Sequence, residues 1–281
     1  MKLNEWRLAS KLPKHETDMI IKHVCGLDRL HIIINAANIT LTEEQHKELN
    51  RLHDARYVDN YPLQYLLGYS DFMGLELCVT PDVLIPRPDT EFLVSEAVSC
   101  IDSILSAAEE SKQIKVLDLC TGSGCIAVYL ADYFKNNNAV SITASDISEK
   151  ALTVAEKNSQ KYNTNINFIH SDLFNSPEFD NLKFDVIVSN PPYISYNEKD
   201  FMSEDTKNYE PHLALFAEDS GMAIYKRIAN GYRKHLNPGG HIIMEVGFKQ
   251  AEAVASLFKS NHNVKIIKDF NGHGRVVHLF N

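Results

Sequence analysis

"VLDLCTGSGCIAVYLA", residues 116–131, reads as a strand, a glycine turn and the start of a helix. Gly122 and Gly124 let the backbone turn tightly and approach a ligand closely, with the first N–H groups of the helix pointing into the space they leave. The loop is not read as the dinucleotide-binding GxGxxG, because only the two glycines 122 and 124 stand here and an acid, Asp118, precedes them. A glycine turn of this kind also occurs in α/β proteins that bind nothing there, so the loop has to be weighed with its surroundings.

Working outward from it, the chain from residue 89 alternates strand-like and helix-like stretches. Strands are predicted at 114–119, 140–145, 166–170, 184–189 and 241–246, and helices over 91–107, 124–136, 148–162 and 220–236. A last strand pair, 264–270 and 275–280, is joined across the turn-like "NGHG". The alternation predicts an α/β fold with a parallel, doubly wound sheet that the closing antiparallel hairpin makes mixed. Residues 1–76 read instead as a small domain of short helices, one of them opened by Thr42 and Gln45 in a capping-box pattern. The turn-rich, β-branched texture between about 68 and 86 suggests a hairpin or extended linker. The expected organisation is therefore 1–76 helical domain, 77–88 hairpin or linker, and 89–281 α/β domain.

Composition excludes several classes. Of 281 residues, 44% are hydrophobic and 23% charged, ordinary values for a globular protein. No apolar run approaches a membrane span and the N-terminus has no signal-peptide core, so the chain is expected in the cytoplasm with no membrane partner. Five cysteines with no CxxC pair point to reduced thiols, and no zinc site is readable. Acidic residues outnumber basic ones by 37 to 28, and residues 1–84 alone carry 12 acidic and 9 basic side chains. Nucleic-acid binding usually shows a cationic footprint, and neither part of the chain has one.

The glycine loop resembles the methyltransferase pattern in which an acid and three glycines at alternate positions border S-adenosylmethionine. Cys120 stands where that pattern has its first glycine, which implies a position asking for smallness more than for a positive φ. Two further strand ends carry acids. Asp146 closes "SITASD", where a carboxylate can accept ribose hydroxyls, and Asp172 follows the third strand in "FIHSDLF". The resemblance implies that Asp172 holds the adenine amino group. Each aspartate alone also fits a helix cap, Asp146 before "ISEKAL" especially.

The fourth strand ends in "SNPPYIS", 189–195. Prolines 191 and 192 have no N–H for a sheet, so the strand stops there. An amide or aromatic amine nitrogen is a poor nucleophile because its lone pair is delocalised. The Asn190 side-chain oxygen and the Pro191 carbonyl can accept its two hydrogens, draw density toward nitrogen and aim it at a methyl group. Pro192 stiffens the turn and Tyr193 offers a flat face against the planar group. This chemistry suits either the exocyclic amine of a base or a glutamine side chain.

Longer segments separate the two. "PLQYLLGYSDFMGLEL" (62–77), "VLIPRPDTEFLV" (83–94), "DLCTGSGCIAV" (118–128), "NPPYI" (190–194) and "YEPHLALFAEDSGMAIYKRI" (209–228) closely resemble the bacterial peptide chain release factor N5-glutamine methyltransferases. The resemblance covers nearly the whole chain. It implies a Rossmann-like, seven-stranded methyltransferase sheet and extends over the helical N-terminal domain, which is expected to dock the substrate. It also implies methyl transfer from S-adenosylmethionine, leaving S-adenosylhomocysteine, to the glutamine of the Gly-Gly-Gln motif of release factors. Its cofactor positions fall on Asp118, Cys120, Thr121, Gly122, Ser123, Gly124, Asp146, Asp172, Leu173 and Asn190. Its substrate positions fall on Asn190, Pro191, Pro192 and Tyr193, with Asn190, Pro191 and Tyr193 in the catalytic role; no metal is implied. Arg87, Asp89, Thr90 and Glu91 read either as a wall beside the cofactor or as a salt-bridged corner. Glu210-Pro211 reads either as a channel edge or as a loop anchor. The alternatives are glutamine methylation of a ribosomal protein and, less compatible with the acidic composition, methylation of a DNA or RNA amine.

Overall fold

The strand at Ile114–Leu119 lies inside a mixed, seven-stranded sheet in the computed structural model, which describes residues 1–109, 112–259 and 262–280. The chain forms two compact units, Met1–Tyr69 with Ser203–Tyr209, and Ser70–Met202 with Glu210–Asn281. In the first, helices α1 (Leu3–Ala9), α2 (Lys14–Cys25), α3 (Arg29–Asn35), α4 (Glu43–Tyr57) and α5 (Leu63–Leu67) surround a core that includes Leu3, Trp6, Ile20, Ile21, Leu49 and Leu52. The capping box on α4 forms as expected: Gln45 N–H donates to Thr42 Oγ1 at 3.1 Å and Thr42 N–H to Gln45 Oε1 at 3.0 Å.

The hairpin of β1 (Tyr69–Phe72) and β2 (Leu75–Cys78) turns on Met73 and Gly74, both with positive φ. Its Phe72, Leu75 and Leu77 are buried in the core of the α/β unit. The division between the units therefore falls at 69/70, ahead of the expected 76/77, because the hairpin buries its apolar side chains with the sheet domain. Residue 281, the last of the expected α/β domain, lies outside the described residues.

After α6 (Thr90–Ala107) the chain runs through β3 (Ile114–Leu119), α7 (Cys125–Tyr133), β4 (Val140–Asp146), α8 (Glu149–Lys161), β5 (Ile166–His170), β6 (Phe184–Ser189) and the short β7 (Ile194–Ser195). There follow α9 (Glu204–Tyr209), which belongs to the first unit, α10 (His212–Leu215), β8 (Phe216–Ala217) and α11 (Ala223–Gly231). The chain then continues through β9 (Leu236–Glu245), α12 (Ala251–Ser256), β10 (Asn263–Lys268) and β11 (Gly274–Phe280). The sheet order is β10-β11-β9-β6-β3-β4-β5, with only the β11 pairings antiparallel. Every residue of β6 is buried, as a strand covered by helices on both faces requires. Val116, Val186, Val188 and Ile243 pack toward α6 and α7, while Leu117, Leu119, Ile187 and Ile242 pack toward α11 and α12.

The carboxyl-terminal part of the chain departs from the sequence expectation at β9 and α12. β9 starts at Leu236, because Pro238 and the two glycines after it sit in a register break opposite Phe184 and Val186 and do not form a terminating turn. α12, absent from the sequence reading, has only six residues and is held by burial of Val254 and Ala255. Since β4 and β5 extend to one side of β3 and β6 and β9 to the other, a crevice opens at the carboxyl ends of β3 and β6.

Candidate active site

A cavity of about 290 Å³ occupies that crevice. Of the residues singled out in the sequence, Cys120, Thr121, Gly122, Ser123, Asp146, Asp172, Leu173, Asn190 and Pro192 line it; Asp118, Gly124, Pro191 and Tyr193 do not.

Asp118 is fully buried behind the loop and acts as its brace. Its Oδ2 accepts from the Thr121 hydroxyl at 2.5 Å and from Ala127 N–H at 3.2 Å. Its Oδ1 has no partner among the described residues. Burial pushes its pKa up to about 7, against the pull of those two donors. Gly122 has φ +56°, and a Cβ there would enter open space. Gly124, φ +79°, serves packing instead: a Cβ would come within 2.9 Å of the Ala155 Cβ on α8. The loop is tied to the hairpin by Asn158, whose side chain accepts from Cys78 N–H and donates to the carbonyls of Cys78 and Ser123.

Cys120 corrects the sequence reading. Its φ is +65°, so the position does demand the left-handed backbone that the missing glycine would adopt freely. A non-glycine residue there carries about 1–2 kcal/mol of strain. Cys120→Gly is therefore expected to be more stable than Cys120→Ala by about 1 kcal/mol in urea unfolding, since only glycine releases the strain. Equal stabilities would show that the turn does not impose it.

Asp146 ends β4 half-buried, with Oδ2 accepting from Gly122 N–H and Oδ1 from Ser148 N–H, both at 2.9 Å. It thus shapes the loop and holds the turn ahead of α8, whose cap is Ser148 and not Asp146, and burial raises its pKa despite those donors. Asp172 is paired with Arg227 of α11 at 2.6 Å, a partner with no local cue 55 residues along the chain. The cavity wall combines these two carboxylates with Arg227, Arg87 and apolar Val83, Leu84, Leu173 and Ile224.

The Asn190 amide is oriented by a chain of hydrogen bonds. Asn190 Nδ2 donates to Thr90 Oγ1 at 3.1 Å, and the Thr90 hydroxyl donates to Glu245 Oε2 at 2.7 Å. The Thr90 hydrogen is thereby committed, so its oxygen can only accept from Asn190, and Asn190 Oδ1 is left as an acceptor at the cavity wall. Glu245 is 1% exposed, and its Oε1 accepts from Tyr193 Oη at 3.1 Å. Its place follows from register, because Ser189 of β6 pairs with Met244 of β9 and the next residues, Asn190 and Glu245, come side by side. Burial pushes the Glu245 pKa up to about 7, although its bonds to Thr90 and Tyr193 pull the other way. Asp118 and Glu245 keep their protons to higher pH in the folded chain than in the unfolded one. Their burial therefore costs progressively more stability as pH rises from the ordinary carboxylate range to about 7.

The turn itself is clamped from outside. Gln250 Nε2 donates to the Tyr193 carbonyl at 3.0 Å, and a Cβ on Gly221 would lie 2.1 Å from that same oxygen. Tyr193 directs its hydroxyl to Glu245 and is not among the residues that line the cavity. Of the 87–91 segment, Arg87 and Thr90 line the cavity, Asp89 pairs with Arg275 at 3.2 Å, and Glu91 is exposed. Glu210 is the loop anchor of the two readings offered: buried, it accepts from Ile85 N–H and from Arg87, while Pro211 lines the cavity.

The chain matches the PrmC N-terminal domain family over residues 7–68 and the Methyltransferase small domain family over 100–205. It is 37% identical to the release factor glutamine methyltransferase of Lactococcus lactis, covering 93% of this chain and 92% of that one. The chain belongs to the release factor glutamine methyltransferase family. The Francisella tularensis member is 39% identical over 93% of this chain and 88% of its own. A bifunctional methyltransferase of Rickettsia typhi is 37% identical over 99% of this chain, which spans about half, 55%, of that longer protein. Among solved structures, the fold matches a methyltransferase from Pyrococcus furiosus (19% identity, TM-score 0.51, 85% of this chain and 98% of that one). It also matches the hMettl16 catalytic domain (14% identity, TM-score 0.56, 96% and 92%). In this family member the sequence reading missed Glu245, Arg227, Asn158, Gly221 and Gln250, each far along the chain from the motif it supports.

Proposed function

We propose that the chain transfers a methyl group from S-adenosylmethionine to the side-chain amide nitrogen of the glutamine in the Gly-Gly-Gln motif of peptide chain release factors. The observation that carries the reading is the Asn190 amide, fixed by Thr90 and Glu245 with its oxygen as an acceptor on the cavity wall. Membership of the release factor glutamine methyltransferase family supports the choice of substrate.

The residues fit the methyl donor. S-adenosylmethionine carries a net positive charge, and the lining carboxylates Asp82, Asp146 and Asp172 outnumber the lining guanidinium groups of Arg87 and Arg227. Gly122 leaves open the space a side chain would fill. On this reading Asp146 accepts from the ribose hydroxyls and Asp172 from the adenine amine, with Leu173 and the 120–124 loop as walls. When bound, the donor supplies an electrophilic methyl group and departs as S-adenosylhomocysteine.

The chain's own work is to hold the acceptor. Asn190 Oδ1, on the cavity wall, takes one amide hydrogen, and on this reading the other goes to the carbonyl of Pro191, a residue of the same turn that does not itself line the cavity. Together they fix the nitrogen lone pair and favour the positive charge that grows there. Pro191 and Pro192 keep those oxygens aimed. No residue need remove a proton first, because the methylated nitrogen is acidic while cationic and sheds its proton afterwards. The cavity-lining residues all belong to the α/β unit, and we assign the helical unit to docking of the protein substrate.

Labelled S-adenosylmethionine offered with purified release factor, ribosomal proteins and DNA in parallel tests the substrate class. Label is expected in the release factor; label in DNA or in a ribosomal protein alone would overturn the assignment.

A further inference from the structure

Behind the sheet, away from the residues of the methyl-transfer site, three metal-ligating side chains converge from three elements. Cys100 of α6, His241 of β9 and His278 of β11 bring Sγ and two imidazole nitrogens within 4.8 Å of one another. Cys100 and His278 are buried, 6% and 7% exposed, and His241 is half-buried. The topology produces this without any sequence signature. His278 pairs with Ile243 across the antiparallel ladder, so His241 lies two residues along the partner strand on the same face, and α6 packs on that face.

We propose that Cys100, His241 and His278 form a binding site for a thiophilic divalent cation, Zn²⁺ foremost. Thiolate sulfur and imidazole nitrogen are both donors that Zn²⁺ takes, and three side-chain ligands leave its fourth position to a water. The supporting groups are already arranged. His278 Nδ1 donates to Glu96 Oε1 at 2.6 Å, which leaves Nε2 with the lone pair, the carboxylate–histidine pairing that orients ligating imidazoles. Glu96 is itself held by Lys265 Nζ at 2.8 and 2.9 Å. His241 Nδ1 lies 2.9 Å from His278 Nε2, so a single change of tautomer on His241 turns its hydrogen bond into a second lone pair aimed at the same point. Its other nitrogen can then carry the hydrogen.

Access and balance are also provided. A cleft of about 450 Å³, lined by these three residues and by Glu96, Ser103 and Lys112, gives an entry path and room for the water in the fourth position. As the metal–sulfur bond forms, the Cys100 thiol proton leaves to solvent, so one proton is released for each ion bound and no oxidant or reductant is needed. The ion would join α6 to β9 and β11. The opposite ends of α6 and β9 carry Thr90 and Glu245, so the site would brace the two elements that hold Asn190 in place.

The test is cobalt substitution of the metal-stripped, tag-free full chain. One equivalent of Co²⁺ is expected to give a thiolate-to-cobalt charge-transfer band that Zn²⁺ displaces. Cys100→Ser should abolish the band and His278→Ala should weaken binding by about a hundredfold. Glu96→Gln, which leaves all three ligands in place, should weaken it by about tenfold to a hundredfold. Absence of the band in the wild-type chain, or a band that persists in Cys100→Ser, would overturn the proposal and leave a hydrogen-bonded histidine pair.

Discussion

Asn190→Ala is expected to lower turnover by about a hundredfold or more, a loss on the order of 3 kcal/mol in transition-state stabilisation, while S-adenosylmethionine affinity falls much less. The reason is where the missing oxygen acts. In the proposed mechanism nitrogen gains positive charge as the methyl group arrives, and Asn190 Oδ1 serves as one of two acceptors for the hydrogens on it. Single-turnover methylation and calorimetric binding of the donor separate the two effects. A folded Asn190→Ala variant with near-normal single-turnover rate would remove the acceptor mechanism. Read from sequence alone, Asn190→Asp keeps an acceptor and should keep some activity. The structure lowers that expectation, because an aspartate here faces the oxygen of Thr90, whose only hydrogen is given to Glu245. Asn190→Asp is expected to recover little of the loss.

Thr90→Val should be the next most damaging change in the site. Valine keeps the shape but offers no acceptor to Asn190 Nδ2 and no donor to Glu245 Oε2. Leaving a buried polar group unpaired costs about 1–3 kcal/mol. The arrangement with Asn190 Oδ1 toward the cavity then loses its advantage, and turnover is expected to fall about tenfold to a hundredfold. The fall should appear in kcat and hardly in KM or donor affinity, and Thr90→Ser, which restores the hydroxyl, should recover most of it. If serine fails to rescue, or if donor affinity falls in step with kcat, Thr90 acts as a wall of the cavity and not through Asn190.

How far the sequence carried follows from where the information lies. The glycine loop, Asp146, Asp172 and the NPPY turn are short stretches at consecutive strand ends, so local residue types and spacing were enough to assemble one edge of the crevice. The seven strands were legible for the same reason, β3 and β6 as dense apolar runs and the others as β-branched stretches between turn residues. Glu245 was not legible, because it meets Thr90 across 155 positions of chain and only the β6–β9 register brings it under Asn190. Arg227 lies on the polar face of α11, where a charged residue looks like any solvated side chain until the fold sets it against Asp172. Cys120 misled for a different reason: residue type reports preference, and a structure that over-determines a turn can hold cysteine at a φ that glycine would prefer. The stretch was read as a hairpin or a linker, and the unit that buries it stayed open, because its strands are only four residues long, too short to announce which core would take them.

Fragmentation mass spectrometry of a release factor incubated with the enzyme and S-adenosylmethionine tests the central claim most directly. The account predicts one added methyl group on the side-chain nitrogen of the glutamine in the Gly-Gly-Gln motif, absent when Asn190→Ala replaces the wild-type enzyme for the same interval. A methyl group on any other residue, or an unmodified release factor beside an active enzyme, would contradict it.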